Sequence, residues 1–309
     1  MKNLILDLRT TRDIDSRVAR LHRDLGYRGG TVKLEDVRAL LKLDIDYYNA
    51  NDPGLMSEVI HKLRVGAKQI VKRPGLLVDA IRKFDLKALF IPDRKRILLD
   101  ANLPDLKKRW SEGHEVLHSV IPWHSEYMLG DTAITLTPSC HERIEAEANY
   151  GTGRLLFPKD DFIGLAQAHP LDLASIKRIA GHFGNTITST LWRCVEQAEE
   201  PRLGLIGEHP HYLREGKLPI EHLIQSPAFA MRFSRFNESD ALALLRGYCS
   251  YRHAGPLGTA EVLIVDDNGD SHVFLAESFN NRYHTLTLAQ YVRPSAKQVV
   301  VPAHSVAAK

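Results

Sequence analysis

The sequence has few of the features that define several common protein classes. It contains three cysteines in 309 residues, Cys140, Cys194 and Cys249, and no two of them form a CxxC pair. Such scattered cysteines, odd in number, indicate a reducing compartment rather than a disulfide framework. No apolar run reaches the length that spans a bilayer, which excludes a transmembrane helix.

Neither sign of charge dominates. The chain has 41 basic and 38 acidic residues, and its net charge of +3 does not by itself indicate a nucleic-acid or membrane partner. Residues 1–9 carry charge within their apolar stretch and are too short for a signal peptide. We therefore expect a cytoplasmic protein that does not contact a membrane.

What is present is the composition of a globular protein, with 44% hydrophobic and 26% charged residues. A chain of this length can bury a core without help from a disulfide or a metal. Any metal site is therefore expected to be functional rather than structural.

Hydrophobic spacing and shifts in composition divide the chain into three predicted parts of an α+β protein. Apolar residues recur at helical spacing before a turn-forming sequence at residues 49–54, and the composition shifts again at 199–202. We expect a helical N-terminal region at 1–50, a core with a trailing helical segment at 51–200, and a mixed α/β C-terminal domain at 201–309.

Within these parts the pattern predicts individual elements. The C-terminal hairpin is the sharpest of them, because an Asn-Gly turn lies between two apolar runs. The predicted helices lie at 56–71, 76–84, 106–121, 140–156, 171–196 (as two helices) and 241–248, and the predicted hairpins join 86–91 to 96–100 and 262–265 to 272–276.

The sequence His114-Glu115-Val116-Leu117-His118 is an HExxH pattern inside a predicted helix. Residues four apart lie on one face of a helix, so the two imidazoles can bind one Zn²⁺. Glu115 lies beside them and can act as general base toward a water that attacks a carbonyl. The pattern also occurs by chance, but the hairpin before it and a carboxylate-rich helix after it favour a metal site.

That second helix contains Glu142-Arg-Ile-Glu-Ala-Glu-Ala-Asn149. A catalytic zinc takes three protein ligands and one open position, and either Glu145 or Glu147 is a candidate third ligand. We prefer Glu145, which shares a helix face with Asn149. An amide there can hold a ligand side chain by a hydrogen bond.

Four blocks of this region, in order, resemble the ImmA/IrrE metallopeptidase family over about residues 80–200. They are the predicted hairpin at 86–100, Arg109 followed by the HExxH motif, the stretch from Glu145 to Pro158 with its E-x-E-A-N and Leu-Leu-x-Pro features, and a helical segment at 176–193.

The resemblance implies a zincin-like metallopeptidase core. By carry-over His114, His118 and Glu145 bind zinc and Glu115 is the catalytic base. It further implies a protein substrate, such as a transcriptional repressor, and a role in stress response or mobile-element control.

Two positions depart from the family pattern. Leu117 stands where the family usually has glycine, and Pro122 stands where it usually has another histidine, although His124 follows. These departures bear on how the motif helix ends and on substrate access.

Other interpretations are open. Residues 170–197 also fit a helix-turn-helix, with Lys177, Arg178 and Arg193 near phosphate, but a helical pair packed beneath the core is the preferred interpretation. The alternative function is therefore a non-enzymatic regulator whose core is a sensor or scaffold and whose helical pair binds DNA or a partner. A structural zinc with a fourth protein ligand is a third interpretation.

Three further side chains near the motif have candidate roles. His124 and His141 are candidates for stabilising an oxyanion, although a surface or hydrogen-bonded histidine is the more ordinary interpretation for each. Cys140 is expected to be a buried structural thiol.

Overall fold

A computed structural model describes residues 3–48, 88–91, 95–124, 138–167 and 171–295. The chain divides into two compact units, one of Asn3–Cys194 and a second that begins at Val195. Residues of the predicted N-terminal region and of the predicted core thus belong to one unit. The predicted turn at 49–54 and the predicted helices at 56–71 and 76–84 lie outside the described residues.

The first unit combines helices with a small sheet. Its strands form in the order β1-β3-β2, with β1 parallel and β2 antiparallel to β3. The elements are α1 (Leu8–Asp24), α2 (Leu34–Leu41), β1 (Asp44–Tyr48), β2 (Ala88–Ile91), β3 (Arg96–Asp100), α3 (Asp105–Val120), α4 (Pro138–Leu156), α5 (Lys159–Gln167), α6 (Leu173–Phe183) and α7 (Ile187–Glu196).

Helix α1 begins at an N-cap and packs on α4. The Asp7 carboxylate accepts hydrogen bonds from the backbone N–H groups of Arg9 and Thr10, which satisfies donors that have no partner within the helix. Ile14, Val18 and Leu21 form its buried face. The predicted helical periodicity of this segment agrees with the structure.

Polar side chains tie α1 to α4 as well. The Asp15 carboxylate is 2.6 Å from Nε of Arg154 and accepts a hydrogen bond from the Tyr150 hydroxyl. Nε2 of His22 lies 3.0 Å from the carbonyl oxygen of Leu155. Helix α1 is therefore held along most of the length of α4.

Helices α3 and α4 approach closely because each has a glycine at the crossing. A Cβ on Gly113 would lie 3.2 Å from Cγ2 of Thr152, and a Cβ on Gly151 would lie 2.5 Å from Cδ1 of Leu117. Only hydrogen fits at these two positions without displacing a neighbour. The close approach brings the side chains of the two helices within reach of one another.

The second unit is a five-stranded antiparallel sheet with two helices on it, in the order β5-β4-β8-β7-β6. Its core is aromatic, and Phe229, Phe233 and Phe274 have ring centroids 4.7 to 5.8 Å apart. The elements are β4 (Arg202–Gly207), β5 (Ile220–Gln225), α8 (Pro227–Arg232), α9 (Glu238–Tyr248), β6 (Gly255–Val265), β7 (Ser271–Asn280) and β8 (Thr285–Pro294).

The predicted α+β class is confirmed by this mixture of helices and antiparallel sheet. The hairpin predicted around Asn268-Gly269 joins β6 to β7, and Gly269 has the positive φ of 86° that such a turn requires. The strands β4, β5 and β8 were not predicted. The smaller sheet contains the predicted hairpin of β2 and β3, and it gains β1, which the sequence did not assign to a strand.

Candidate metal centre

Helix α3 carries the HExxH motif on a half-buried face. It begins after Pro104, has Asp105 in its first turn, and ends at Val120 because Ile121 is extended before Pro122. The predicted span of 106–121 agrees within a residue at each end. His114 and His118, one turn apart, point their Nε2 atoms at one another across 3.1 Å.

Glu145 on α4 completes a triangle of ligating atoms. Its Oε2 lies 3.1 Å from Nε2 of His114, and its Oε1 lies 3.6 Å from Nε2 of His118. The ligating atoms of these three residues all lie within 4.8 Å of one another. The side chain of His118 is 4% exposed and that of Glu145 is 40% exposed, so the group has a buried side and a side that solvent reaches.

Glu115, the predicted base, lies between the two histidines in sequence and is buried. Burial by itself lowers the pKa of His114, but the hydrogen bond to Glu145 and the negative charges of Glu115 and Glu145 outweigh it and raise that pKa. A local field that favours positive charge is what a cation site needs.

The Nδ1 atom of His114 faces away from the triangle toward Asn149, whose Oδ1 lies 3.1 Å from it. An amide oxygen can accept the proton on Nδ1, and this leaves the lone pair of Nε2 directed at the triangle. The supporting position predicted for Asn149 is where the structure places it.

His118 is supported by a different group. Its Nδ1 lies 3.0 Å from Nδ1 of His124, and Nε2 of His124 lies 3.0 Å from Oε2 of Glu147. Trp123 donates to the same carboxylate from Nε1 at 2.5 Å, and Arg143 donates from Nε at 2.9 Å. Burial raises the pKa of Glu147, but these hydrogen bonds lower it by a larger amount.

This arrangement separates the two carboxylates that the sequence left as alternatives. Glu145 lies with the histidine Nε2 atoms, whereas Glu147 is 3% exposed and lies behind His118. His124 is wholly buried on that rear side, so it does not face the side where an oxyanion would form. The sequence missed the contact of His124 with Glu147, since neither residue's partner follows from helical spacing.

The first departure from the family pattern is accommodated by packing. Leu117 is fully buried, and its Cγ lies 2.9 Å from where a Cβ of residue 151 would stand. Glycine at 151 makes the space that leucine at 117 fills. The motif helix and the carboxylate helix therefore pack closely with leucine at position 117.

Two of the resembling blocks meet at Asn185. Its Oδ1 accepts a hydrogen bond from Nε of Arg109 at 3.2 Å, and its Nδ2 donates to the carbonyl oxygen of Leu156 at 3.0 Å. Asn185 follows Gly184, the C-cap of α6, so one amide connects the first half of the motif helix, the end of α4 and the helical pair.

The helical pair α6 and α7 offers less basic surface than the sequence indicated. Lys177 and Arg178 are exposed, but Arg193 is 1% exposed and its guanidinium carbon lies 5.7 Å from the Tyr150 ring centroid. In the alternative helix-turn-helix interpretation Arg193 is therefore not available to contact phosphate, because its charge is enclosed in the protein. The side chains of Cys140 and His141 lie outside what the structure describes.

Within the described residues, no helix is both long enough and apolar enough to cross a bilayer. Residues 63–194 match the family model Peptidase_M78, described as the IrrE N-terminal-like domain. No curated protein gave a significant match.

Among solved structures the chain is similar to a Mycobacterium tuberculosis transcriptional regulator, with 13% identity and a TM-score of 0.52. The similarity covers 94% of this chain and 93% of that chain, and at this identity it concerns the fold alone. The family match confirms the resemblance seen in the sequence: residues 63–194 are similar to the IrrE N-terminal-like domain of the Peptidase_M78 family.

Proposed function

We propose that this protein is a zinc-dependent metallopeptidase with a zincin-like core, acting on a protein substrate in the cytoplasm. The observation that carries the proposal is the convergence of His114, His118 and Glu145, whose ligating atoms lie within 4.8 Å of one another, with buried Glu115 beside them. The family match is to a peptidase model, which supports the same reaction class.

The donor set fits zinc. Ligand atoms about 2.0–2.1 Å from a tetrahedral zinc lie about 3.3 Å apart, and the separations between the three residues are 3.1, 3.1 and 3.6 Å. Two imidazoles and one carboxylate are the ligands of many catalytic zinc sites, and no fourth protein ligand joins them among the described residues. This counts against a purely structural zinc.

When bound, zinc supplies Lewis acidity that activates water and polarises a peptide carbonyl. Glu115 then accepts a proton from the water as its oxygen attacks the carbonyl carbon. The same carboxyl group returns the proton to the leaving amine nitrogen as the C–N bond breaks. The immediate products are a carboxylic acid and an amine, and the acid's proton passes to the amine to give a carboxylate and an ammonium group. Glu115 ends in its initial state.

The small sheet supplies a feature that suits an extended substrate. Among the described strands, β2 forms one edge, and α3 packs beside both β2 and β3. An edge strand can accept a peptide as an additional strand through backbone hydrogen bonds. We propose a protein such as a transcriptional repressor as the substrate, in stress response or mobile-element control; this rests on the family relationship.

The deciding experiment compares Glu115→Gln with wild type, both loaded with zinc. The amide keeps the shape of the side chain but cannot accept the proton, so cleavage of a candidate repressor should fall on the order of 10²–10⁴-fold. Zinc content should remain at one per chain, measured by elemental analysis, and fragments would be identified by mass spectrometry. Glu142→Gln makes the same change at an exposed position of α4 and is the matched control.

The second candidate is a non-enzymatic regulator, which the overall likeness to a transcriptional regulator favours. Under that function wild type and Glu115→Gln would hold zinc equally and behave alike in cells, and neither would cleave a partner. DNA binding through residues 170–197 would have to use Lys177 and Arg178, since Arg193 is buried. Intact repressors in every wild-type incubation would sink the peptidase proposal and leave the metal site.

A further inference from the structure

We propose that His124 and Glu147 form a buried hydrogen-bond relay that fixes the tautomer of His118, so that its Nε2 lone pair is directed at the metal. The proposal rests on the proposed metal site and goes beyond it by assigning positioning roles to two residues that do not bind the metal. Both lie on the side of His118 opposite Glu145.

The direction of the relay follows from its far end. Trp123 and Arg143 can only donate hydrogen bonds, so both oxygens of Glu147 act as acceptors, and we assign the proton of the 3.0 Å contact to Nε2 of His124. In a neutral imidazole the other nitrogen is then an acceptor. Nδ1 of His124 therefore accepts, and the proton across the 3.0 Å contact belongs to Nδ1 of His118.

The position of this proton determines which nitrogen of His118 can bind a metal. With its proton on Nδ1, neutral His118 has a bare Nε2, and this is the atom that lies 3.1 Å from Nε2 of His114. The relay thus favours the tautomer of His118 with its proton on Nδ1. In this tautomer the Nε2 lone pair can bind a metal. The relay requires a side chain at position 124 that accepts a hydrogen bond from His118 and donates one to Glu147.

Glu147 is held firmly enough to set this direction. Each of its oxygens accepts at least one hydrogen bond, Oε2 from Trp123 and His124 and Oε1 from Arg143. Arg143 in turn lies 2.9 Å from the carboxylate of Asp7 at the start of α1. The relay therefore ends on a helix outside the segment 63–194 that matches the family model.

The two histidine ligands are supported unequally. His114 has the neutral amide of Asn149, whereas His118 is linked through a second imidazole to a carboxylate. A carboxylate at the end of such a chain makes the ligand imidazole a stronger donor than an amide does. Loss of the relay should therefore weaken zinc binding without removing any ligand.

The first test measures zinc affinity by competition with a chromophoric chelator. His124→Phe should lower the affinity about 10- to 100-fold, and Glu147→Gln should lower it toward the smaller end of that range because the amide oxygen still accepts. Thr152→Val is the control, since it changes a fully buried polar side chain of α4 whose hydroxyl donates to the carbonyl oxygen of Ala148 in the same helix. The control should bind zinc as wild type does.

The second test reads the tautomer directly. Long-range proton–nitrogen NMR spectra of zinc-free protein with ¹⁵N-labelled histidine should show His118 protonated at Nδ1 in wild type, and at both nitrogens in exchange in His124→Phe. Packing changes alone would not move this signal. If His124→Phe does not fold, Glu147→Gln and the wild-type spectrum still decide the matter.

The outcomes separate this inference from the proposed function. Wild-type affinity in folded His124→Phe, or His118 protonated at Nε2 in wild type, overturns the relay while the metal site stands. A wild-type protein that binds no zinc, yet shows the Nδ1 tautomer that His124→Phe loses, supports the relay and overturns the zinc peptidase.

Discussion

Each unit of the chain buries a histidine against a carboxylate, yet only the pair in the first unit adjoins a group of converging metal-ligating atoms. In the first unit His124 lies 3.0 Å from Glu147, behind the triangle of ligating atoms. In the second, Nε2 of His272 lies 2.9 Å from Oδ2 of Asp266, and both side chains are 2% exposed.

The Asp266 carboxylate of the second unit is occupied by hydrogen bonds from its own surroundings. The Asp266 carboxylate also accepts from the backbone N–H groups of Asn268 and Asp270 and lies 3.3 Å from Nε of Arg232. Its donors hold the turn between β6 and β7. Burial and pairing are thus alike in the two units, and what marks a metal site is convergence of lone pairs on one point.

The largest expected effect tests that distinction at the histidines. His114→Ala should abolish zinc binding, because it removes one of three ligands. His272→Ala removes a more deeply buried imidazole and should leave the zinc content at one per chain. Elemental analysis of both purified variants checks this. A full zinc complement in His114→Ala would show that His114 is no more a metal ligand than His272 is.

A stability effect should appear at the helix crossing of the first unit. Leu117→Ala should destabilise by about 2–5 kcal/mol, and Gly151→Ala by about 1–3 kcal/mol through overpacking. The double variant should lose less than the sum, since the added methyl group partly fills the space left by leucine. Urea unfolding of the zinc-free proteins measures the cycle, and simple additivity would contradict the packing argument.

The second unit should respond to acid through Asp266. Burial alone raises the pKa of Asp266, but hydrogen bonds from the Asp270 backbone, His272 and Arg232 lower it to about 2, below the ordinary 3.8. A depressed folded-state pKa contributes stability that is complete above pH 3.8 and is lost as the pH falls toward 2. Asp266→Asn should lower the melting temperature at pH 5 and flatten its dependence on pH below 3.8.

Glu215→Gln, at an exposed position of the same unit, is the control for that experiment. It should follow the wild-type melting curve from pH 5 to 2. An Asp266→Asn variant with the wild-type pH dependence would show that the hairpin does not depend on its buried carboxylate.

The smallest expected effect concerns the second unit as a whole. A chain that ends after Glu200 keeps all of α7 and should bind zinc with the wild-type affinity, because every proposed ligand and relay residue lies before Cys194. Circular dichroism and chelator competition check this. A soluble, folded and metal-free product would break the separation of the two units.

Local spacing allowed much of the site to be predicted. The four-residue interval from His114 to His118 and that from Glu145 to Asn149 each place two side chains on one helix face, so both pairs followed from the sequence. The relay could not be predicted, because His124 follows the end of α3 and its contact with Glu147 depends on how α4 packs. The E-x-E spacing did indicate two distinct carboxylates but not which faced the metal.

The fold was predictable in the same measure. The hairpin around Asn268-Gly269 has a local signal, whereas β4 pairs with β8 across most of the second unit, and no local pattern specifies that partner. The burial of Arg193 could not be predicted for a related reason. A charged side chain is typical of an exposed surface, but tertiary packing places this one against Tyr150.

The attachment of α1 to α4 has a consequence for protein fusions. Asp7, Asp15 and His22 each contact a residue of α4, and all three precede the segment that matches the family model. The segment that folds together is therefore longer than the segment that matches. A fusion of residues 63–194 to a foreign leading helix would remove the contact of Arg143 with Asp7 and that of Arg154 with Asp15, so stable fusion points are expected before residue 7 and after residue 200.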